Sequence, residues 1–466
     1  MHSLLLLKDQ EAIVALATPR GSGAIALIRL SGTNSLVVVD RIAQLSSKQT
    51  LSNQSSHTIH HGFVVDQYST KLDEVLFLLM KAPKTFTGQD TIEISCHNNP
   101  FIVDAIIHAA IEAGARQATA GEFTLRGFLT GKFDLTQAEA INEIIHAPSE
   151  KVLQCSLAQL KGSLSNQFAV IETKLIELLT LCEASFEFLE EEQRDLDFNH
   201  IVHTNLSDIL NIIYNVKKHY NAQQQIKDGI RISLIGSVNA GKSSLFNALL
   251  GKERAIVTNI AGTTRDSIEA SLYKNGYYWL LIDTAGLRQT NDIIEQQGIE
   301  KSYEEAIKAD IILLVIDSER VITPEEKDIY QKITTQHPLK TIVVYNKSDL
   351  TPHVKVDIAF ENFSAVKASA AQNLGLTEIE AAITQKINTL FDLQQTTYVL
   401  TQRQFNLISE IEKKLLYIEK SLDTQVHYEL VSYELKDLLE KVCELTGKRV
   451  SEEVLDTVFS KFCVGK

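Results

Sequence analysis

The sequence predicts an α/β plus α fold: an N-terminal α/β domain, a helical domain, and a Ras-like P-loop GTPase domain inserted into the helical one. Three observations predict it. The first part of the chain alternates apolar and polar residues as strands do, long stretches repeat apolar residues at helical steps, and a phosphate-loop sequence lies between those stretches. The inserted domain is expected to hold a mostly parallel sheet with helices on both faces. The expected domains are 1–118, 119–227 (first helical part), 228–385 (GTPase) and 386–466 (second helical part).

In the N-terminal domain, short β-branched and apolar runs separated by turn-forming residues predict strands. The predicted strands are 12–17, 24–30, 58–65, 74–80 and 92–95, and 101–113 is a predicted helix. Arg29 and Glu93 are charged residues inside two of these apolar strands. A buried charge is costly unless it is paired, so the two are either paired or point outward from an alternating strand.

The helical parts show apolar residues at three- and four-residue steps. The predicted helices are 138–147, 150–167, 169–186, 201–220, 404–422 and 428–445. The acidic run 186–192 is most simply a solvated face or turn. Residues 222–229 are predicted to be a linker into the GTPase domain.

The stretch Gly236–Ser243 has the phosphate-loop pattern GxxxxGK[ST], and it follows the alternating, strand-like run 230–235. Gly236 and Gly241 allow the backbone to curl so that successive N–H groups form an anion nest at a helix N-terminus. Lys242 adds positive charge for the β- and γ-phosphates, and the Ser243 hydroxyl is a ligand for Mg²⁺. The alternative, a plain glycine turn, would not need a Lys-Ser pair after its second glycine.

Three later stretches narrow the nucleotide to GTP. Asp283 at a strand end can hold Mg²⁺ through water, and the amide of Gly286 can sense the γ-phosphate. The Asp349 carboxylate, in the Asn-Lys-Ser-Asp stretch, can accept two N–H bonds from the Watson–Crick edge of guanine, which adenine lacks. Ser369–Ala370 then lies where a backbone N–H can reach the guanine carbonyl. Four motifs in order, each at a strand end, predict a GTPase.

The residues predicted to contact GTP are Gly236, Asn239, Ala240, Gly241, Lys242, Ser243, Ser244, Thr258, Asn259, Ile260, Ala261, Gly262, Thr263, Thr264, Asp283, Thr284, Ala285, Gly286, Asn346, Lys347, Asp349, Ser369 and Ala370.

The polar segment 257–266 has the composition of a switch that orders around the γ-phosphate. Thr264 is the candidate for a second protein ligand to Mg²⁺. Leu287 occupies the position where Ras-like enzymes carry a water-orienting Gln, so the nucleophile must be positioned differently here. Arg265 either stabilises the developing charge or pairs with Asp266, which makes it, with Lys242, a catalytic candidate.

Composition excludes several classes of protein. The 466 residues carry a net charge of −14, which argues against a broad basic surface for nucleic acid. The basic pairs 217–218, 413–414 and 448–449 are local candidates, with a solvated helix face as the favoured alternative. Five cysteines without CxxC spacing predict neither a disulfide framework nor a zinc site. With no signal-peptide core and no apolar run of about 18 residues, a cytoplasmic protein is expected.

Several stretches resemble the tRNA-modification GTPase family MnmE (also called TrmE). They are 17–32 (ATPRGSGAIALIRLSG), 86–94 (FTGQDTIEI), 121–126 (GEFTLR), 131–140 (GKFDLTQAEA) and the terminal 462–466 (FCVGK). The similarity runs from residue 11 to the end of the sequence. Two positions depart from the family pattern: 96–99 reads CHNN in place of CHGG, and Ala120 replaces a proline.

The resemblance implies that the N-terminal domain dimerises and binds a tetrahydrofolate derivative, in a 5-formyl or methylene form. Its contacts would fall on Arg29, Glu93, Lys132 and Lys466. It further implies that Glu295 acts on the attacking water through an intermediary. The resemblance also implies that hydrolysis depends on K⁺; the ligands would be Asn239 and switch residues Thr258, Ile260 and Thr263.

By the same resemblance, the chain works on tRNA with the FAD-dependent partner MnmG. Together they would add a carboxymethylaminomethyl-type group to carbon 5 of the wobble uridine, using a tetrahydrofolate one-carbon unit. Two alternatives stay open: a GTPase switch that binds ribosomal RNA during ribosome assembly, and a folate-dependent transferase that uses GTP only for regulation. Cys463, in the terminal stretch, is either chemically reactive or a small buried or tail thiol.

Overall fold

The fold was analysed in a computed structural model of the chain. The structure describes residues 11–21, 23–188, 197–218, 220–251, 268–283, 304, 306–350, 363–391, 397–422 and 428–465.

The described residues belong to two compact units, one drawn from Met1–Asn142, Gln159–Ile209 and Ser409–Lys466, the other from Glu143–Ala158 and Leu210–Ile408. The strands are β1 Ile13–Leu16, β2 Ile25–Ser31, β3 Ala43–Leu45, β4 Thr58–Val65, β5 Lys71–Met80, β6 Thr91–His97, β7 Arg116–Gln117, β8 Ile230–Ile235, β9 Ile268–Lys274, β10 Tyr277–Asp283, β11 Ile311–Asp317, β12 Thr341–Asn346 and β13 Ala365–Lys367. The helices are α1 Ser35–Ile42, α2 Pro100–Glu112, α3 Glu122–Leu129, α4 Leu135–Ile145, α5 Glu150–Leu160, α6 Ser163–Phe188, α7 Asp197–Lys217, α8 Tyr220–Asp228, α9 Lys242–Leu250, α10 Pro324–Gln336, α11 Leu376–Phe391, α12 Gln402–Leu422, α13 Tyr428–Thr446 and α14 Glu452–Phe459.

The N-terminal sheet has the order β3-β4-β5-β6-β2-β1-β7. Its neighbours are antiparallel except for the parallel pair β1–β7. Alternate residues such as Ile28, Phe77 and Ile92 are fully buried in a core that α1 and α2 complete. On the other face, Ile59 and Leu76 remain exposed. Helices α1 and α2 therefore cover one face of this sheet. On the other face, β1 is buried against Phe123 of α3, whereas β4 and β5 carry exposed apolar residues.

The five strands predicted for this domain are confirmed, as is the helix that became α2. The structure adds α1, β3 and β7, which the sequence pattern did not predict. The CHNN stretch closes β6 and begins α2. The Asn99 side chain accepts a hydrogen bond from the amide of Phe101 at 2.9 Å and Pro100 is the first helical residue, so this departure from the family pattern supplies a helix cap.

The remaining helices of the first unit bring the C-terminal segment onto the N-terminal domain. Phe459 and Phe462 of the α14 region are buried in one core with Leu135 of α4. The amide of Gly121 donates to the carbonyl of Cys463 at 3.2 Å, and a Cβ on Gly121 would lie 2.5 Å from the carbonyl oxygen of Phe459. This close approach requires glycine at the start of α3.

The sheet of the second unit has the order β13-β12-β11-β8-β10-β9, with only the β9–β10 hairpin antiparallel. Alternate residues of β8, β11 and β12 enter two different cores. Leu313 packs into one with helices α9 and α11, and Leu314 packs into the other with α10. The predicted sheet, mostly parallel with helices on both faces, is confirmed.

Two details of the helical prediction are wrong. Residues 222–229 are not a linker: α8 extends to Asp228, because Gln223 and Ile226 are buried on one of its faces and the first helix-breaking residue is Gly229. The helix predicted over 150–167 is broken by Gly162, whose φ of +97° ends α5 before α6 begins.

Candidate functional site

The phosphate loop connects β8 to α9, and close backbone contacts explain both of its glycines. A Cβ on Gly236 would lie 2.2 Å from the carbonyl oxygen of Val315, in the neighbouring strand β11. Gly241 has a φ of +86°, and a Cβ there would lie 2.2 Å from Nδ2 of Asn346. A side chain at either position would force the loop away from the sheet.

The polar side chains of the loop are arranged around the N-terminus of α9. Lys242 is buried, and its Nζ donates to the carbonyl oxygens of Gly236 and Ser237 at 2.8 and 2.7 Å. Ser243 and Ser244 are exposed in the first turn of the helix. Asn239 is also exposed and has a left-handed backbone, with φ +63°. The helix N-terminus and the lysine together give this loop a positive potential that suits phosphate.

Asp283 is buried at the end of β10, and its strand runs parallel to β8 with Asp283 opposite Leu234. The carboxyl ends of the two strands therefore lie side by side, which puts the Asp283 carboxylate and the Ser243 hydroxyl at the same edge of the sheet. Hydroxyl and carboxylate oxygens are the donors that Mg²⁺ prefers. This donor set fits the predicted magnesium site.

Asn346 joins the phosphate loop to the predicted base-binding segments. Its side chain is only 1% exposed. The Nδ2 atom donates to the carbonyl of Ala240 at 2.9 Å, and the Oδ1 atom accepts from the amide of Ala370 at 3.1 Å. One side chain thus holds together three of the four predicted nucleotide motifs.

The other base-loop residues lie beside this junction. Lys347 has a φ of +61°, and its Nζ pairs with Oδ2 of Asp317 at 2.7 Å, at the end of β11. Asp349 is exposed. Ser369 is fully buried, and its hydroxyl accepts from the amide of Gln372 at 3.3 Å, which shapes the turn that leads to Ala370.

Sequence reasoning missed a group of residues that contact the second residue of the phosphate loop. The Ser237 amide donates to the Tyr330 hydroxyl at 2.9 Å, and Nη2 of Arg320 donates to the Ser237 hydroxyl at 2.5 Å. Arg320 also pairs with Glu326 at 2.6 Å. Burial alone would raise the pKa of Glu326, but the hydrogen bond from Arg320 outweighs it and lowers that pKa. These residues are far from the loop in sequence and match no motif.

Part of the predicted site lies outside the residues that the structure describes. These residues are Thr258, Asn259, Ile260, Ala261, Gly262, Thr263, Thr264, Arg265, Thr284, Ala285, Gly286, Glu295 and Lys466.

In the N-terminal domain, Arg29 and Glu93 face each other across β2 and β6. Both side chains are 15% exposed, and Nη2 of Arg29 lies 2.7 Å from Oε1 of Glu93. Both side chains lie on the face opposite α1 and α2, and they are paired with each other. The guanidinium lies 5.7 Å from the ring centre of Phe86 and 5.6 Å from that of Phe123. Its Nη1 donates to the carbonyl of Gly465 at 3.2 Å, so the C-terminal tail completes this site.

Lys132 lies at the border of the same region. It is exposed, and its Nζ donates to the carbonyl oxygen of Pro83. Its neighbour Phe133 packs against Phe86 with ring centres 5.7 Å apart. Since Phe86 also flanks Arg29, the residue that follows Lys132 in the chain packs against a ring of the Arg29 site.

The GEFTLR stretch forms a buried charge network behind this site. Arg126 is 1% exposed and lies 3.0 Å from the Glu122 carboxylate, which Arg116 approaches to 2.6 Å. Burial alone would raise the pKa of Glu122. The hydrogen bonds from Arg116 and from the amide of Thr119, with the charge of Arg126, outweigh burial and lower the pKa to about 2. Glu122 is therefore ionised at neutral pH and anchors α3.

Two of the three local basic pairs have acidic neighbours. Lys414 pairs with Glu434 at 3.1 Å, Lys448 with Glu172 at 2.6 Å, and Arg449 with Glu440 at 3.1 Å. The favoured interpretation of these lysines and arginines as helix-face residues is consistent with this pairing. Among the described residues, no group of three or more His, Cys, Asp or Glu side chains is arranged to hold a metal, and no helix has the length and apolarity to cross a bilayer.

Comparison with known proteins places the chain in one family. The model of the GTP-binding protein TrmE N-terminus matches residues 12–132, and the model of the MnmE helical domain matches residues 135–463. A protein named tRNA modification GTPase MnmE from Fervidobacterium nodosum is 37% identical over 461 residues, which is 98% of each chain. The protein of that name from Flavobacterium psychrophilum is 36% identical over 465 residues, 98% of this chain and 99% of its own.

Among solved structures, the G domain of the Thermotoga maritima FeoB iron transporter is 28% identical over 34% of this chain and 98% of its own, with a TM-score of 0.26. That score is too low to add to the assignment. The assignment rests on the two family models and on the full-length relatives, which agree with the phosphate-loop and base-loop geometry. The chain belongs to the MnmE family of tRNA modification GTPases.

Proposed function

We propose that this chain is an enzyme that hydrolyses GTP in the modification of tRNA. Family membership supports the reaction class. The observation that carries the proposal in the structure is the Asn346 side chain, which binds the phosphate loop at Ala240 and the base loop at Ala370. A single residue so placed fixes the distance between a phosphate site and a base site, as recognition of a whole nucleotide requires.

Within the GTP site, Lys242 and the amides of the phosphate loop hold the β- and γ-phosphates. Asp349 accepts the guanine N–H groups. The Ala370 amide, which was expected to reach the guanine carbonyl, donates to Oδ1 of Asn346 at 3.1 Å. Ser243 and Thr264 would hold Mg²⁺ directly and Asp283 through water; the ion neutralises phosphate charge when bound. The exposed side-chain oxygen of Asn239 suits a monovalent cation, and K⁺ would be held there with the carbonyls of Thr258, Ile260 and Thr263.

For catalysis, Glu295 acts on the attacking water through an intermediary, since Leu287 has no group that can orient it. Arg265 stabilises the developing charge or pairs with Asp266. These roles rest on the family resemblance and on the sequence.

The N-terminal domain is proposed to bind a tetrahydrofolate derivative at Arg29, Glu93, Lys132 and Lys466. The residues present fit such a ligand. A guanidinium has five N–H donors. Arg29 uses some of them on Glu93 and on the carbonyl of Gly465, and the others remain for a polar heterocycle or a carboxylate. The flanking rings of Phe86 and Phe123 suit a flat aromatic ligand. When bound, the folate supplies the one-carbon unit.

The exposed apolar face of the N-terminal sheet supports a homodimer formed through this domain. Ile59 of β4 is 65% exposed, and Leu76, its diagonal neighbour on β5, is 43% exposed. Adjacent exposed apolar residues on a sheet are typical of a protein interface. With the FAD-dependent partner MnmG, the dimer would add the carboxymethylaminomethyl-type group to carbon 5 of the wobble uridine. We propose that the N-terminal domain comprises residues 1–118, the two helical parts 119–227 and 386–466, and the GTPase domain 228–385.

The proposal is tested by mass spectrometry of tRNA nucleosides from a strain that lacks this gene. Loss of the modified wobble uridine, restored by the wild-type gene and not by Asp349→Asn, is the expected result. Normal wobble nucleosides with a defect in ribosome assembly would instead identify the ribosomal-RNA alternative. Loss of modification that Asp349→Asn restores in full would identify the transferase that needs GTP only for regulation.

A further inference from the structure

Ser237, the second residue of the phosphate loop, is held by three different parts of its unit. Its carbonyl accepts from Nζ of Lys242 at 2.7 Å, its amide donates to the Tyr330 hydroxyl at 2.9 Å, and its hydroxyl accepts from Arg320 at 2.5 Å. Tyr330 is a buried residue of α10, whereas Arg320 belongs to the turn after β11. Ser237 is thus bound by α10 and by the turn after β11, neither of which forms the phosphate loop itself.

Arg320 is in turn fixed by α10. Its Nη1 and Nη2 atoms donate to the two carboxylate oxygens of Glu326 at 3.0 and 2.6 Å. Glu326 is the N3 residue of a capping box, in which the Thr323 amide donates to its carboxylate at 3.1 Å. A guanidinium held by two parallel bonds keeps its orientation, because rotation would break both. Glu326, in the first turn of α10, therefore orients the Arg320 guanidinium so that it donates its third hydrogen bond to Ser237.

The same turn contacts the base loop. Asp317, three residues before Arg320, pairs with Lys347 at 2.7 Å. Burial would raise the pKa of Asp317, but the hydrogen bond from Lys347 outweighs it and lowers that pKa, so the carboxylate is charged when it meets the lysine. The four-residue segment from Asp317 to Arg320 thus touches the phosphate loop at one end and the base loop at the other.

From these contacts we infer that Arg320, aimed by Glu326, is a positioning residue for guanine-nucleotide binding that acts through the Ser237 hydroxyl. It does not touch the nucleotide. It holds the phosphate loop in the shape that its amides need, so it contributes equally to binding of GDP and of GTP. The inference rests on the proposed GTPase function.

The test measures binding of fluorescent GDP and of a non-hydrolysable GTP analogue to the full chain. Arg320→Ala is expected to weaken both by about tenfold, the effect of one lost charge-assisted hydrogen bond at a partly exposed site. Ser237→Ala should weaken both by a similar factor. The double variant should bind no worse than either single variant, because both changes remove the same bond. Lys274→Ala is the matched control. Lys274 ends β9, away from the phosphate loop, and its ion pair with Glu380 (3.0 Å) is removed by this change. Both affinities should stay unchanged.

Three results would overturn the inference: affinities of Arg320→Ala within twofold of wild type, losses that multiply in the double variant, or a loss for the GTP analogue alone. The last result would mean that Arg320 contacts the γ-phosphate. Failure of the proposed function is a separate outcome, because in that case the wild-type chain itself would bind neither nucleotide.

Discussion

Replacement of Asn346 by alanine tests whether one side chain keeps the phosphate and base sites together. Its amide group makes two buried bonds, to the carbonyl of Ala240 at 2.9 Å and from the amide of Ala370 at 3.1 Å. The alanine variant leaves that carbonyl and that N–H without their partner in a place where the side chain is only 1% exposed.

The magnitude follows from those two groups. A buried donor or acceptor left unpaired costs about 1–3 kcal/mol. Partial relaxation of the loops reduces the sum, which gives roughly 2–4 kcal/mol for the pair. If this cost falls on the nucleotide-binding arrangement, the affinity for GDP drops roughly 30- to 900-fold.

The assay is titration of fluorescent GDP into the full chain, with circular dichroism melting to verify that the variant is folded. Asn388→Ala is the control, because Asn388 is an exposed asparagine of α11 that accepts one hydrogen bond from the Tyr277 hydroxyl at 2.7 Å. It should bind GDP like wild type. A folded Asn346→Ala variant that binds GDP within threefold of wild type would refute the reasoning.

Four further predictions follow from single residues. Asp349→Asn should shift preference from GTP to xanthosine triphosphate in a competition assay; an unchanged preference removes Asp349 from the base pocket. Arg29→Ala should abolish formyl-tetrahydrofolate binding in calorimetry while GTP binding stays intact, and wild-type folate affinity would contradict the site. GTP hydrolysis should be faster in K⁺ than in Na⁺ at equal ionic strength, and Asn239→Ala should remove the difference; equal wild-type rates would exclude the cation. Because the folded pKa of Glu122 lies near 2, below the unfolded value of 4.5, its stabilisation is full above about pH 4.5 and disappears as the pH falls towards 2. Glu122→Gln should therefore make the melting temperature depend less on pH between about 4.5 and 2. A melting temperature that falls with pH as in the wild type would contradict the charge network.

Strands with one buried face were predictable from sequence because their alternation is local. Helix α1 was not, although it lies between two predicted strands. Its sequence, SLVVVDRI, is rich in β-branched residues, which have low helix propensity. It is helical because Val38, Val39 and Ile42 are buried against the N-terminal sheet. Tertiary burial outweighs local preference here, and a single sequence carries no record of that burial.

The nucleotide site divides in the same way. The glycines and the lysine of the phosphate loop could be predicted because the backbone geometry of that loop requires them in a fixed pattern. The contacts of Asn346 with Ala240 and of Arg320 with Ser237 join residues 106 and 83 positions apart. No spacing rule relates such pairs. Arg320 had no signal at all, since an arginine in a polar turn after a strand is ordinary on any protein surface.

The C-terminal tail shows why a motif can be recognised without its partner. Arg29 and Gly465 are 436 positions apart, yet the guanidinium donates to the Gly465 carbonyl at 3.2 Å. A Cβ on Gly465 would lie 2.4 Å from the carbonyl oxygen of Leu16 and 2.5 Å from Cα of Ala17. Any side chain there would lift the tail from β1 and withdraw the carbonyl from Arg29. The glycine is therefore required by the N-terminal domain rather than by the tail's own conformation, and its carbonyl is part of the Arg29 site.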